Sequence, residues 1–296
     1  MRAFAAFIAL MAAAVIGGAL LAYPVYSLAH ELGADWPFHR VANRLATLVL
    51  LVGLIWLLRR MHLDNRADLG YGLERRRFIV VALKSLAIGT LSMLPIIAML
   101  LALDLREARA DLSLALGAKI AVRGLISGVL VALIEETFFR GALHTAIRRE
   151  SGARAAIVLT SLVYASVHFL NRVRIAHESV DWSSWFTLIT RTFSAFADPA
   201  RILDSILALL AVGVLLGLVR ERFGHIAACI GLHAGWVWVI AIARELTVRN
   251  PQAPLSFLVG SYDGVIGYLV LAWTLVLIAV YWWLSRGRLP STASHQ

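Results

Sequence analysis

Cys229 is the only cysteine among the 296 residues, so an intrachain disulfide and a cysteine-based metal cluster are both excluded. Acidic residues are scarce too: 18 Asp and Glu stand against 28 Lys and Arg, a formal net charge of +10. The basic residues sit mainly between hydrophobic runs rather than on one folded face, so the expected counter-charge is anionic lipid and not nucleic acid. No polar stretch long enough for a soluble domain separates the runs, and no repeat or low-complexity segment occurs. The chain also lacks a Gly-x-Ser-x-Gly elbow and a His-Glu-x-x-His helix. The familiar serine-hydrolase and zincin templates therefore do not apply.

What the chain has in abundance is apolar length. Hydrophobic residues make up 60% and the mean hydropathy is +0.78, against roughly 45–50% apolar content in soluble domains. Runs near the ~20 residues needed to cross a bilayer occur at Phe4 to Leu28, Val41 to Leu58, Phe78 to Leu103, Ile120 to Phe139, Ala155 to Leu170, Ile202 to Val219, Ile226 to Ala243 and Val265 to Leu284. The fifth is the shortest. The first exceeds the apolar core of a secretory signal and is followed by seven more, so it is read as a span. The expected fold is all-α: a polytopic membrane protein of about eight transmembrane helices in one compact bundle.

Sorting the loops alternately puts Arg2, the arginines from Arg59 to Arg77, Arg148, Arg149, Arg154, Arg220, Arg222, Arg286 and Arg288 on one side. That side is expected to be cytoplasmic, with both termini there, as for a protein of a bacterial inner membrane. Between Asn171 and Arg201, Trp182, Trp185, Phe186, Ile189, Phe193 and Phe196 recur at helical spacing, which predicts an interfacial amphipathic helix ending at Asp198-Pro199. Glycines four apart (Gly124 with Gly128, Gly213 with Gly217, Gly231 with Gly235) predict close helix crossings. Three parts are expected: N-terminal spans over 1–119, a core over 120–243, and the last span with a short polar tail over 244–296.

Two adjacent carboxylates, Glu135 and Glu136, end an apolar run and precede Arg140. A charge at mid-bilayer costs at least ~2.5–3.5 kcal/mol, so such groups face the bundle interior, find partners and serve a function. On a helix Glu136 and Arg140 lie four apart and can pair, while Glu135 points about 100° away. One carboxylate is then held while its neighbour stays free. Two histidines, His168 and His233, also sit inside apolar runs. A desolvated free carboxylate is a serviceable general base for water, and with the two imidazoles it supplies enough groups for peptide hydrolysis. His30, His39, His62, His144, His177 and His225 fall near span ends, where interfacial solvation accounts for them; contact of His144 with the site, four residues after Arg140, is the less favoured reading.

Glu135-Glu136-x-x-x-Arg140, then Tyr164-x-x-x-His168, then His233, resembles the three-motif signature of the CAAX-processing and bacteriocin-processing (CPBP, or Abi) intramembrane proteases, over roughly Ile120 to Ile240. The resemblance implies a glutamic-type endopeptidase with about eight spans and a site opening towards the cytoplasm. It implies that Glu135 activates water with help from His168, that His233 stabilises the oxyanion, and that Glu136 and Arg140 support them. No cofactor is implied; the partners are the bilayer and a membrane-anchored or lipidated peptide substrate. Two positions depart from the pattern: Tyr164 stands where Phe is usual, and Val237 replaces the Asn or Asp expected four residues after His233. The second removes an oxyanion donor, commonly worth ~2.7–4 kcal/mol, which an indole N–H of Trp236 or Trp238 would have to replace. Two alternatives stay open: a catalytically silent bundle that binds a membrane peptide, and a zinc-dependent hydrolase with Glu135, His168 and His233 as ligands.

Overall fold

A computed structural model describes residues 1–110 and 113–286; the polar tail expected beyond the last helix lies outside the described residues. Nine α-helices follow in order: α1 Arg2–Glu31, α2 Phe38–Arg60, α3 Arg75–Ala102, α4 Leu114–Glu136, α5 His144–Val167, α6 Ser184–Thr192, α7 Leu203–Phe223, α8 Ala227–Leu246 and α9 Tyr268–Arg286. Among the described residues seven helical stretches are long and apolar enough to cross a membrane, and one of them is the 54-residue run Leu114–Val167. That run contains the fourth expected span and the fifth as far as Val167. Many large apolar side chains face outward, among them Leu48, Leu51, Ile55, Leu83, Ile126 and Ile134; on a soluble protein so much apolar surface would be a liability, and here it faces lipid. The protein is an integral membrane protein with an all-α architecture.

Two features shape the 114–167 run. The backbone at Thr137–Leu143 is a π-helix, whose hydrogen bonds span one residue more than those of an α-helix and which is frequent at functional sites. Gly152 then takes φ 83° and ψ 172°, a conformation side chains disfavour, and the chain doubles back. Phe139 and Tyr164 show the reversal: their ring centroids are 5.4 Å apart, whereas 25 intervening helical rises would separate them by ~37 Å. Glu135 and His168 are nearly equidistant from Gly152 along the sequence, so the hairpin returns His168 to the level of Glu135. The helical part of the returning arm ends at Val167, and the chain beyond it continues to Val173, Ile175 and Leu188, which pack with Tyr26 and Phe38 of the first two helices.

Helix α8 is the axis of the bundle, packed between α3 and α4, while α5 packs on α7, α7 on α9 and α1 on α2. The predicted glycine pairs all lie at such crossings: Gly124 and Gly128 against α8, Gly213 and Gly217 against α5, Gly231 and Gly235 against α3. At the far end of α8 a short antiparallel ribbon pairs β1 (Arg106–Ala108) with β2 (Thr247–Arg249). Arg106 locks it by donating to Thr247 Oγ1 (2.6 Å), Thr247 O (2.8 Å) and Gly264 O (2.6 Å).

The amphipathic segment over 182–198 is shorter than its periodicity suggests. Only Ser184–Thr192 is α-helical, and 3₁₀ turns follow at Ser194–Ala197 and Pro199–Arg201. Leu188 and Ile189 pack with Tyr26 and Phe38 of the first two helices, while Trp182, Trp185, Phe186, Phe193 and Phe196 stay exposed. Its apolar residues thus serve two surfaces at once, inward against α1 and outward.

Candidate active site

Glu136 and Arg140 are fully buried and joined by an ion pair at 3.1 Å. The same Glu136 oxygen, Oε1, accepts from His233 Nδ1 at 2.8 Å, and Arg140 Nη2 donates to Gly213 O at 3.2 Å. One carboxylate thus ties α4, the π segment, α7 and α8 together at a single point. Burial of an ion pair is tolerable only with such additional partners. The Arg140 guanidinium also lies 4.6 Å from the Tyr164 ring centroid, in cation–π range.

Glu135, the neighbouring residue, is not held in this way. Its Oε2 is buried without a hydrogen-bond partner, although 28% of its side chain is accessible. His168 Nε2 and His233 Nε2 each lie 3.9 Å from this same oxygen. That is beyond direct hydrogen bonding but suits a bridging water. His168 Nδ1 is 2.7 Å from Tyr164 O; a carbonyl only accepts, so Nδ1 carries the proton and Nε2 of the neutral ring presents a lone pair. His233 is oriented likewise, its Nδ1–H donated to the Glu136 carboxylate. Tyr164 stacks edge-on to both imidazoles, with centroids at 4.6 Å and 6.0 Å. All six residues singled out in the sequence are therefore together.

The spacing bears on zinc. Tetrahedral ligands at ~2.0–2.1 Å place donor atoms ~3.3–3.4 Å apart, tighter than the 3.9 Å separations here. Among the described residues no group of three or more His, Cys, Asp or Glu side chains has an arrangement that could hold a metal ion. As they stand, these residues do not fit that ion.

The indoles expected to replace the missing amide are committed elsewhere. Trp236 Nε1 donates to Ser92 Oγ at 3.0 Å and Trp238 Nε1 to Ala121 O at 2.8 Å. Val237 lies one helical turn beyond His233, facing Gly128 of α4.

His144 departs from its sequence reading. It is not solvated at an interface but fully buried, with Nε2 2.7 Å from Glu221 Oε1, a carboxylate also held by Arg148 Nε at 2.8 Å and 2.9 Å. The sequence signalled Arg140 but not its partner Gly213 O. Nor did it signal Glu221, whose pairing depends on how α7 lies against the hairpin.

Residues 117–239 match the family model of the Rce1-like proteins, described as type II CAAX prenyl endopeptidase Rce1-like. This is the CPBP family, one of intramembrane endopeptidases, and the matched stretch runs from α4 to α8 and contains every residue of the cluster. No curated protein and no solved structure matches the chain.

Proposed function

We propose that this chain, with its Rce1-like CPBP core over 117–239, is a glutamic-type intramembrane endopeptidase, in which Glu135 activates water against a peptide bond of a membrane-anchored or lipidated substrate. One observation carries the reading: Glu135 Oε2 has no partner of its own, and two imidazole Nε2 atoms stand equally distant from it. A water seated among the three gives one O–H to Glu135 and the other to the His168 Nε2 lone pair, which aims its oxygen at the carbonyl carbon. Attack moves the proton onto Glu135 and charge onto the carbonyl oxygen. His233, anchored through Nδ1 by the Glu136 carboxylate, donates Nε2–H to that charge once its ring carries a second proton. Glu135 then returns its proton to the leaving nitrogen as the C–N bond breaks, giving a carboxylic acid and an amine. Glu136 and Arg140 position His233 and do not touch the reacting atoms.

The substrate reaches this site from lipid or from the side of the Gly152 hairpin. Both termini and that hairpin are assigned to the cytoplasmic face, in keeping with the arginine-rich loops there.

Glu135→Gln tests the reading. Loss of a positioned general base costs ~10²–10⁴-fold in rate, so cleavage of membrane-anchored and prenylated test peptides should fall by that order, while folding stays intact because the altered oxygen holds no partner. Undiminished cleavage rejects Glu135 as the base. A second reading, a silent bundle that binds a membrane peptide, is favoured by Val237 and by the engagement of both neighbouring indoles. It requires that no peptide be cleaved by the unaltered protein.

A further inference from the structure

We propose that the buried face running from Glu136 through Arg140 to His144 holds a file of internal waters, linking the membrane-embedded site to the aqueous side at Glu221 and Arg148 and replenishing the water that hydrolysis consumes. The last clause rests on the reading above; the water file itself does not.

Three polar atoms on this face are buried without a hydrogen-bond partner: Glu136 Oε2, Arg140 Nε and His144 Nδ1. Their residues are fully buried and follow one another at intervals of four along α4, the π segment and the start of α5. Leaving one buried polar group unsatisfied costs ~1–3 kcal/mol. Three such groups on one face are an expense that folded proteins relieve with ordered water.

Their chemistry is complementary to water. Arg140 Nε–H can only donate and Glu136 Oε2 only accepts. His144 Nε2 faces the Glu221 carboxylate at 2.7 Å and so carries the proton, leaving Nδ1 as an acceptor. A water that accepts from Arg140 and donates to either neighbour fills its own hydrogen-bonding needs as well as theirs.

The face also has two ends. At the inner one, Glu136 holds His233, whose Nε2 is turned to Glu135. At the outer one, Glu221, with 18% of its side chain accessible, joins His144 to Arg148, which is 57% accessible. The charged groups around His144 are Glu221 and Arg220 from α7 and Arg140 from its own chain segment, with Arg148 beyond. The wider turn of the π segment frees Arg140 O to accept from Arg220 Nε at 3.0 Å, and Arg220 reaches Thr145 Oγ1 at 3.5 Å. Arginine and histidine side chains thus line the path on both sides.

The need for such a path follows from the reaction. Each cleavage removes one water from the site, its oxygen retained in the new carboxyl group. A peptide seated over Glu135 restricts access to the exposed part of that side chain, and a path from behind lets a water arrive while the chain is bound.

The test has two arms. In the unaltered protein in lipid nanodiscs, a structure at a resolution that shows ordered water should place water within hydrogen-bond distance of at least two of the three atoms. Three dry atoms overturn the proposal, whatever the protein cleaves. In the second arm His144→Phe keeps a ring of similar size but removes the acceptor. Its kcat should fall several-fold at unchanged KM, and its rate should decline more steeply than the parent's as water activity is lowered with a large excluded polymer. A fall in kcat with the parent's dependence on water activity indicates a packing role and overturns the conduit. If Glu135→Gln still cleaves while the waters are present, the catalytic reading fails and the hydrated file stands.

Discussion

Glu135 and Glu136 are chemically identical neighbours with opposite surroundings, and stability and activity should separate between them. Glu136 neutralises a fully buried Arg140 and orients His233. Breaking a buried pair by removing one partner typically costs ~3–5 kcal/mol, so Glu136→Gln should lower thermal stability in detergent markedly, as read by the unfolding midpoint, with activity falling because His233 loses its anchor. Glu135→Gln, by contrast, should leave that midpoint nearly unchanged. Val237→Asn restores an amide one turn beyond His233, where neither adjacent indole is free. It should raise kcat, or at least preserve it; a large loss means that the space beside Gly128 is needed for something other than the oxyanion. At this scale the sequence was legible wherever a charge or imidazole interrupted an apolar run, because lipid makes such interruptions costly. It gave no sign of Glu221 and placed His144 at a span end, whereas α7 and the hairpin bury His144 against that carboxylate.

Elements placed these residues in ways that periodicity could not reveal. Nothing in the residues of Thr137–Leu143 distinguishes a π turn from an α turn; only the pairing of Arg140 O with Arg220 gives that geometry a purpose. The reversal itself was legible, since two apolar runs flanking Arg148, Arg149 and Arg154 require the chain to turn back between them; what periodicity could not give is that Gly152 is the pivot. The glycine pairs were legible because small residues four apart have one common use in lipid. They also permit a contrast within the same fold. A Cβ at Gly231 would overlap Ala82 O and come within 2.7 Å of Ser85 Cβ, so Gly231→Val should push α8 from α3, cost ~1–3 kcal/mol by overpacking, and shift His233, two residues on. At Gly117 a Cβ meets nothing within 4 Å, and Gly117→Ala should stabilise α4 by ~0.4–1 kcal/mol. Thermal unfolding in detergent, paired with cleavage rates, checks both; equal tolerance of the two would mean that α3 and α8 do not touch as described.

For the whole molecule, the open question is which way the bundle sits. Its two ends differ in character: one carries the Gly152 hairpin with Arg148, Arg149, Arg154 and Arg220, and the other the β1–β2 ribbon and the loop around Gln252. The arginine excess on the hairpin side was readable from the sequence, and Arg106 and Arg109 at the other end count against it. The structure shows why Arg106 does not count as a free loop charge: it is buried, and its guanidinium is consumed by Thr247 and Gly264. Discounting it sharpens the asymmetry in favour of a cytoplasmic hairpin. The single native cysteine makes this directly measurable, because Cys229 is fully buried and should give little background with a membrane-impermeant maleimide. Arg154 and Gln252 are both exposed, at opposite ends of the bundle. Arg154→Cys should react from the cytoplasmic side of sealed vesicles and be protected on the other, and Gln252→Cys should show the reverse. An inverted result would place the hairpin outside, and the water file with it, and would require substrates to approach the two histidines from the opposite face of the membrane.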